Sequence, residues 1–123
     1  MTDSAVTAAC NEVALVGRVS APATERVLPS GDVLLTWRLV VDRPPSRRPL
    51  PAGLRAVTID TIDCVAWTSG VRRTAVGFAA GDVVRVQGSL RRRFWRGGGG
   101  GLGSRYEVEV AAAKRLQRAQ ASR

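Results

Sequence analysis

The stretch Gly81-Asp82-Val83-Val84-Arg85-Val86-Gln87-Gly88-Ser89-Leu90-Arg91-Arg92-Arg93-Phe94-Trp95 constrains this chain more than any other. Side chains of an extended strand alternate between two faces, so residues two apart share one. Arg85, Gln87, Ser89, Arg91, Arg93 and Trp95 fall on one side. Val84, Val86, Gly88, Leu90 and Phe94 fall on the other, with Arg92 among them near the strand end. The apolar side requires a core beneath it, and Phe94 is assigned to that core. The opposite side offers solvent a row of cations that ends in an indole. Guanidinium groups meet phosphates and a flat ring stacks on a base, so this face suits a nucleic-acid chain whose bases lie open.

Four further segments read as strands. Residues 11–19 alternate Val13, Leu15, Gly17 and Val19 against Glu12, Ala14, Val16 and Arg18, with Gly17 marking a bulge or bend. A connection with Pro22 over residues 20–26 and a turn at Leu28-Pro29-Ser30-Gly31-Asp32 follow. Residues 33–41 carry Val33, Leu35, Trp37, Leu39 and Val41 on one unbroken apolar face, which assigns Trp37 to the core. Residues 57–67 are rich in β-branched side chains, but their two faces are not separable by hydropathy. Residues 105–111 place Tyr106, Val108 and Val110 on one face. Between these lie a proline-rich exposed loop over residues 43–53, a short helix over residues 71–78 and a glycine-rich hairpin tip over residues 97–103. Three strands, a helix and two strands specify an all-β fold: a five-stranded OB-fold Greek-key barrel with one short helix between strands three and four. Residues 10–116 form this domain, with flexible ends at 1–9 and 117–123.

Charge narrows the partners. Nineteen Lys+Arg, all but one of them Arg, oppose ten Asp+Glu in 123 residues, a formal charge of +9 that attracts polyanions. No run of about 18 apolar residues spans a membrane, and the N-terminus lacks the basic and apolar regions of a secretory signal, so the expected compartment is the cytoplasm. Cys10 and Cys64 with no histidine make no metal site, and the expectation is two idle thiols without a cofactor. No catalytic set of residues is visible either, which argues against an enzyme and against a small-molecule substrate. The Gly97–Gly101 run is no phosphate-cradling loop, because no Lys-Ser or Lys-Thr follows it and it leads into a strand.

In their order and spacing, several pieces resemble bacterial single-stranded DNA-binding proteins. They are Asn11-Glu12-Val13-Ala14-Leu15-Val16-Gly17-Arg18-Val19, Leu28-Pro29-Ser30-Gly31, Asp63-Cys64-Val65-Ala66-Trp67, residues 81–90, Arg93-Phe94-Trp95 and Tyr106-Glu107-Val108-Glu109-Val110. The resemblance implies an OB barrel that assembles through its first strand, commonly as a homotetramer, which makes Asn11, Val13 and Leu15 candidate interface residues. It also implies that Trp67 and Trp95 stack on bases. The chain departs from the family at Thr61, Pro44 and Pro45, where rings are frequent, so binding should lean more on charge. It also ends on Arg123 without the family's acidic tail, which suits a specialised paralogue better than the housekeeping form.

The candidate contacts are therefore Trp95, Trp67, Arg85, Arg91, Arg93, Arg38 and Gln87. For Trp67, core packing and base stacking remain open, and Tyr106 fits either role. The expected function is sequence-independent binding of single-stranded DNA by a homotetramer or dimer, protecting unpaired DNA in replication, repair or recombination. Binding should be strongly salt-sensitive. The alternatives are an RNA-binding OB module and an OB-fold protein-interaction subunit that binds no nucleic acid.

Overall fold

The computed structural model describes residues 8–45, 47–97 and 99–120; the remaining ends expected to be flexible, 1–7 and 121–123, lie outside the described residues. The elements in chain order are β1 (Val13–Val19), β2 (Thr24–Val27), β3 (Val33–Asp42), β4 (Ile59–Ala66), α1 (Ser69–Ala75), β5 (Val83–Arg96) and β6 (Leu102–Gln117). Each main strand has one face that cannot stay in water. Leu35, Trp37 and Leu39 of β3 and Val84 and Val86 of β5 are buried together with Val108 and Val110 of β6. For β4 the face that hydropathy left undecided is Ile62, Cys64 and Ala66, which joins the same core.

Five strands close on themselves in the cyclic order β1–β5–β6–β4–β3–β1, all antiparallel except the parallel pair β4–β6. This is the OB barrel, and α1 sits between its third and fourth barrel strands. Val71 and Ala75 of α1, and Phe78 just beyond it, plug one end. There Trp37 meets Phe78 edge to face, 5.9 Å between centroids at 82°. Trp37 is thus a core residue, as its strand pattern predicts.

Closure depends on one glycine. β1 meets β3 only through Arg18↔Val40 and Val19↔Leu39. A Cβ on the adjoining Gly17 would lie 2.4 Å from the Val40 carbonyl oxygen. Gly17 is therefore a point of close backbone approach and not a bulge, since β1 pairs with β5 without a register shift from Val13 to Arg18. The bulges lie between β5 and β6 instead, at Val83/Val84 and Gln87/Gly88.

Three expectations need correction. The connection over residues 20–26 contains a strand, because Thr24–Val27 pairs with Thr36–Val33 across the turn at residues 28–32. All four β2 residues are exposed, so only backbone pairing, invisible to hydropathy, defines the strand. The last strand runs from Leu102 to Gln117, well beyond residues 105–111. Phe94 is not core: it is 61% exposed. β1 reaches β5 only as far as Gly88, and beyond that point β5 pairs with β6 alone, so no second layer lies under the Phe94 face.

The far end of β6 is anchored by a carboxylate. Asp82, almost wholly buried, accepts hydrogen bonds from the Ala79 N–H at 2.8 Å, the Ala119 N–H at 2.8 Å and Arg115 Nε at 2.9 Å. The Arg115 guanidinium also donates to the Gly77 carbonyl. The two backbone donors, joined by Arg115, hold the Asp82 carboxyl below its ordinary pKa. A carboxyl depressed in the folded state contributes stability above its unfolded pKa of about 4 and loses it as pH falls through the folded value. Asp82→Asn should therefore be less stable than the native chain at pH 7, and the gap should close as pH falls below about 4, measured by urea unfolding across pH. Gly17→Ala should cost about 1–3 kcal/mol through overpacking at the closure point, read from the shift in urea midpoint at constant slope.

Candidate nucleic-acid interface

Beyond the barrel, β5 and β6 continue as a two-stranded ribbon up to Arg96↔Leu102. Its tip is a glycine turn, with the Gly97 N–H donating to the Gly101 carbonyl at 2.7 Å and Gly100 at φ +84; Gly98 lies outside the described residues. Pairing across the ribbon sorts the side chains. Arg91, Arg93 and Trp95 stand opposite Glu107, Arg105 and Gly103 on one face, while Arg92 and Phe94 stand opposite Tyr106 and Ser104 on the other.

The first face carries the candidate site. Trp95 lies against Gly103 so closely that a Cβ there would meet the indole at 2.4 Å. Trp95 is still 46% exposed, so part of its side chain remains open to solvent. The Arg105 guanidinium stands 5.9 Å from the ring centroid, within cation–π range. Arg26 of β2, Arg93, Trp95 and Arg105 together line one shallow cleft of about 290 Å³. A second cleft, about 280 Å³, adjoins it through Arg105 and contains Arg38, Asp63 and Glu107.

Carboxylates answer most of these arginines. Arg38 Nε is 3.1 Å from Asp63, Arg91 Nε is 3.6 Å from Glu109, and Arg93 and Arg105 each stand 3.9 Å from Glu107. Of the cations expected in a row on β5, Arg91 and Arg93 thus stand in ion pairs. Phosphate would replace a carboxylate at each position, and the net gain per contact is smaller than for a free arginine.

Trp67 follows β4 and is half-buried, beside a third depression lined by Ser89, Glu109 and Ala111. Its carbonyl accepts from Arg72 Nε at 3.2 Å, which gives that helix arginine a fixed structural role the sequence did not reveal. Glu109 pairs with Arg91 and lines the Trp67 depression, so Trp67, Arg91, Arg93, Arg38 and Trp95 form one continuous band. Arg85 and Gln87 stand apart from Trp95. Arg85 is in register with Val16 and Lys114, and Gln87 with Ala14 and Ala112. Arg85 precedes Arg91 by six residues, about 20 Å of strand.

On the opposite face of the ribbon, the Arg92 guanidinium lies 5.0 Å from the Phe94 ring centroid and 5.5 Å from that of Tyr106, and it donates to Ser104 Oγ. Tyr106 is 58% exposed and belongs to this face, not to the Trp95 face. At the other edge, Asn11 exchanges two hydrogen bonds of 2.8 Å with the Leu90 backbone, and Val13 and Leu15 pack half-buried against the core. Both cysteines are free; burial pushes the Cys64 thiol up to about 12, so it stays protonated at neutral pH.

The residues that sequence reasoning missed are Arg26, Gly103, Arg105, Glu107, Glu109 and Asp63. The signal for three was present: Arg105, Glu107 and Glu109 alternate with Tyr106, Val108 and Val110.

Comparison with known proteins fits this geometry. The model of the family described as Single-strand binding protein family matches residues 10–118. Among solved structures, the Plasmodium falciparum SSB complex with ssDNA is similar to this chain with a TM-score of 0.74 at 21% sequence identity, covering 95% of this chain and 100% of that one. That likeness shows the shared fold. No curated protein sequence matches the chain. With the family model covering nearly all of the barrel and the strand order that of an OB-fold, the chain belongs to the single-strand binding protein family, whose members bind single-stranded DNA and are not enzymes.

Proposed function

We propose that the barrel domain of residues 10–116 binds single-stranded DNA along the band from Trp67 to Trp95. The observation that carries this reading is the seating of Trp95: it rests against Gly103, remains 46% exposed, and shares a cleft with Arg26, Arg93 and Arg105. A base stacks on its exposed part while the guanidinium groups take the flanking phosphates. The Plasmodium falciparum SSB, solved in complex with ssDNA, shares the fold, which supports DNA binding by this barrel.

Magnitudes favour a mixed mechanism. Stacking contributes about 1–3 kcal/mol per base. Two stacked bases at Trp95 and Trp67 supply roughly 2–6 kcal/mol, short of the about 10 kcal/mol that tens-of-nanomolar affinity requires. Charge and assembly supply the remainder. For assembly, the free edge of β1 is the candidate. Among the described residues, only Arg18 and Val19 of this strand pair with β3, so Val13 to Gly17 have a strand on one side only. Asn11, Val13 and Leu15 at this edge would meet a second copy of the chain, in a dimer or tetramer. Stacking and phosphate contacts are largely indifferent to sequence, which fits protection of unpaired DNA in replication, repair or recombination in the cytoplasm. Arg85, Gln87 and Lys114, away from the band, would serve a strand that continues around the barrel.

Titration of tryptophan fluorescence with oligo-dT tests the reading. Saturable quenching at low salt is expected; no response to any oligonucleotide would overturn it, and tighter binding of oligo-U would turn it towards RNA. Trp95→Ala should weaken oligo-dT binding by about 1–3 kcal/mol with little change in the thermal midpoint. Gly103→Val should weaken it similarly, because the new side chain occupies the indole's seat. Glu109→Gln, which releases Arg91, should tighten binding at low salt and steepen the salt dependence by up to about 0.7.

A further inference from the structure

We propose that the cleft between β3, β4 and β6 reads the Watson–Crick edge of one guanine base, with Glu107 as the reader. The proposal rests on the single-stranded DNA reading above and adds a base preference at one position of an otherwise tolerant path.

The cleft, about 280 Å³, is lined by Ser20, Thr36, Arg38, Asp63, Arg105 and Glu107 among others. That is just below the size of a drug-sized pocket and suits a single base. Parallel pairing of Cys64 with Val108 sets the preceding residues, Asp63 and Glu107, side by side on the outer surface of the barrel. Their surroundings differ. Asp63 takes the Arg38 Nε at 3.1 Å. The Glu107 side chain is only 7% exposed, yet its carboxylate accepts no hydrogen bond among the described residues. Its nearest cations, Arg93 Nη1 and Arg105 Nε, both stand at 3.9 Å, beyond hydrogen-bonding distance. The carboxylate oxygens are not sealed from solvent, so water supplies their donors, and a ligand with two matched donors can take the place of that water.

A phosphate could take Arg38 or Arg105 only by displacing a carboxylate, and it carries no donor, so it is not a ligand for Glu107 itself. The donors of a single strand lie on its base edges. Thymine presents its N3–H between two carbonyl oxygens, which a carboxylate repels. Cytosine and adenine present an amino group beside a ring-nitrogen acceptor. Guanine alone presents N1–H and the N2 amino group side by side, a pair of donors matched to the two oxygens of a carboxylate. Its O6 follows on the same edge and accepts hydrogen bonds, and Arg38 and Arg105 supply guanidinium donors to the same cleft. Arg105 also lines the Trp95 cleft, so a base on the indole and a guanine on Glu107 are neighbours along one strand.

The test compares three labelled oligomers of equal length by fluorescence anisotropy: oligo-dT, the same strand with deoxyguanosine at every fourth position, and that strand with deoxyinosine in place of the guanines. Deoxyinosine keeps N1–H and O6 and lacks the N2 amino group. The guanine strand should bind about tenfold more tightly than oligo-dT, and inosine should lose most of that gain. Glu107→Gln should abolish the preference and, by releasing Arg93 and Arg105, tighten oligo-dT binding at low salt, with circular dichroism melting to verify the fold. Asp63→Asn, at a more exposed position, is the second variant and should reduce the preference. Equal affinity for the three strands, inosine matching guanine, or a preference that persists in Glu107→Gln would overturn the guanine site and leave DNA binding standing. Failure to bind any of the three would overturn the DNA reading itself.

Discussion

The pairing of β5 with β6 is the interaction on which this molecule depends. The two strands stay paired from Val83↔Gln117 to Arg96↔Leu102, with register shifts at two bulges. Over the first part of that length they are barrel walls, with Val84, Val86, Val108 and Val110 in the core. Over the second they leave the barrel and become a ribbon with two solvated faces. A two-stranded ribbon in water is marginal alone, and this one inherits its register from the barrel walls below it. The site follows from that inheritance: Trp95 is aimed by pairings whose stability is set at Val84 and Val86.

Charge acts on two scales. The formal charge of +9 draws a polyanion from a distance, where individual pairings do not matter. At contact the band is nearly balanced, because Asp63, Glu107 and Glu109 answer Arg38, Arg91, Arg93 and Arg105. The carboxylates hold long arginine side chains in place before a ligand arrives, which lowers the entropy lost on binding. They also make each phosphate contact an exchange, not a simple gain. For the proposed DNA path, such exchange favours a strand that associates quickly and moves readily over one that is gripped permanently.

Much of the barrel was legible because its strands alternate over a buried layer. Trp37 sits in an unbroken apolar row and is core. Val84 and Val86 are core by the same rule. The rule failed at Phe94, on the same strand and the same face, because alternation reports which residues share a face and not whether anything covers it. β1 ends its pairing at Gly88, and that boundary is a tertiary fact. β2 was invisible because four exposed residues carry no hydropathy signal. That Trp95, Arg91 and Arg93 share one face of the ribbon was legible from one strand alone. Their partners Gly103, Arg105 and Glu107 required the hairpin register, which a tip of five consecutive glycines does not reveal.

Gly103 and Trp95 explain one another. A glycine within a strand costs about 0.5–1 kcal/mol relative to alanine and leaves backbone open to water. An aromatic ring laid across it from the neighbouring strand covers that gap and offsets part of the cost. The ring in turn gives up rotational freedom at folding, when the barrel's core supplies the driving force, and not at the moment a base arrives. It lies against Gly103, it lines the arginine-bearing cleft, and the Arg105 guanidinium stands over the ring at 5.9 Å from its centroid. An unseated indole would lose rotamer entropy on every binding event, about 0.5–1.5 kcal/mol for an immobilised side chain. Set against stacking of about 1–3 kcal/mol, that loss would consume much of the contact. A smooth glycine seat is therefore as much a part of the proposed binding surface as the ring that rests on it.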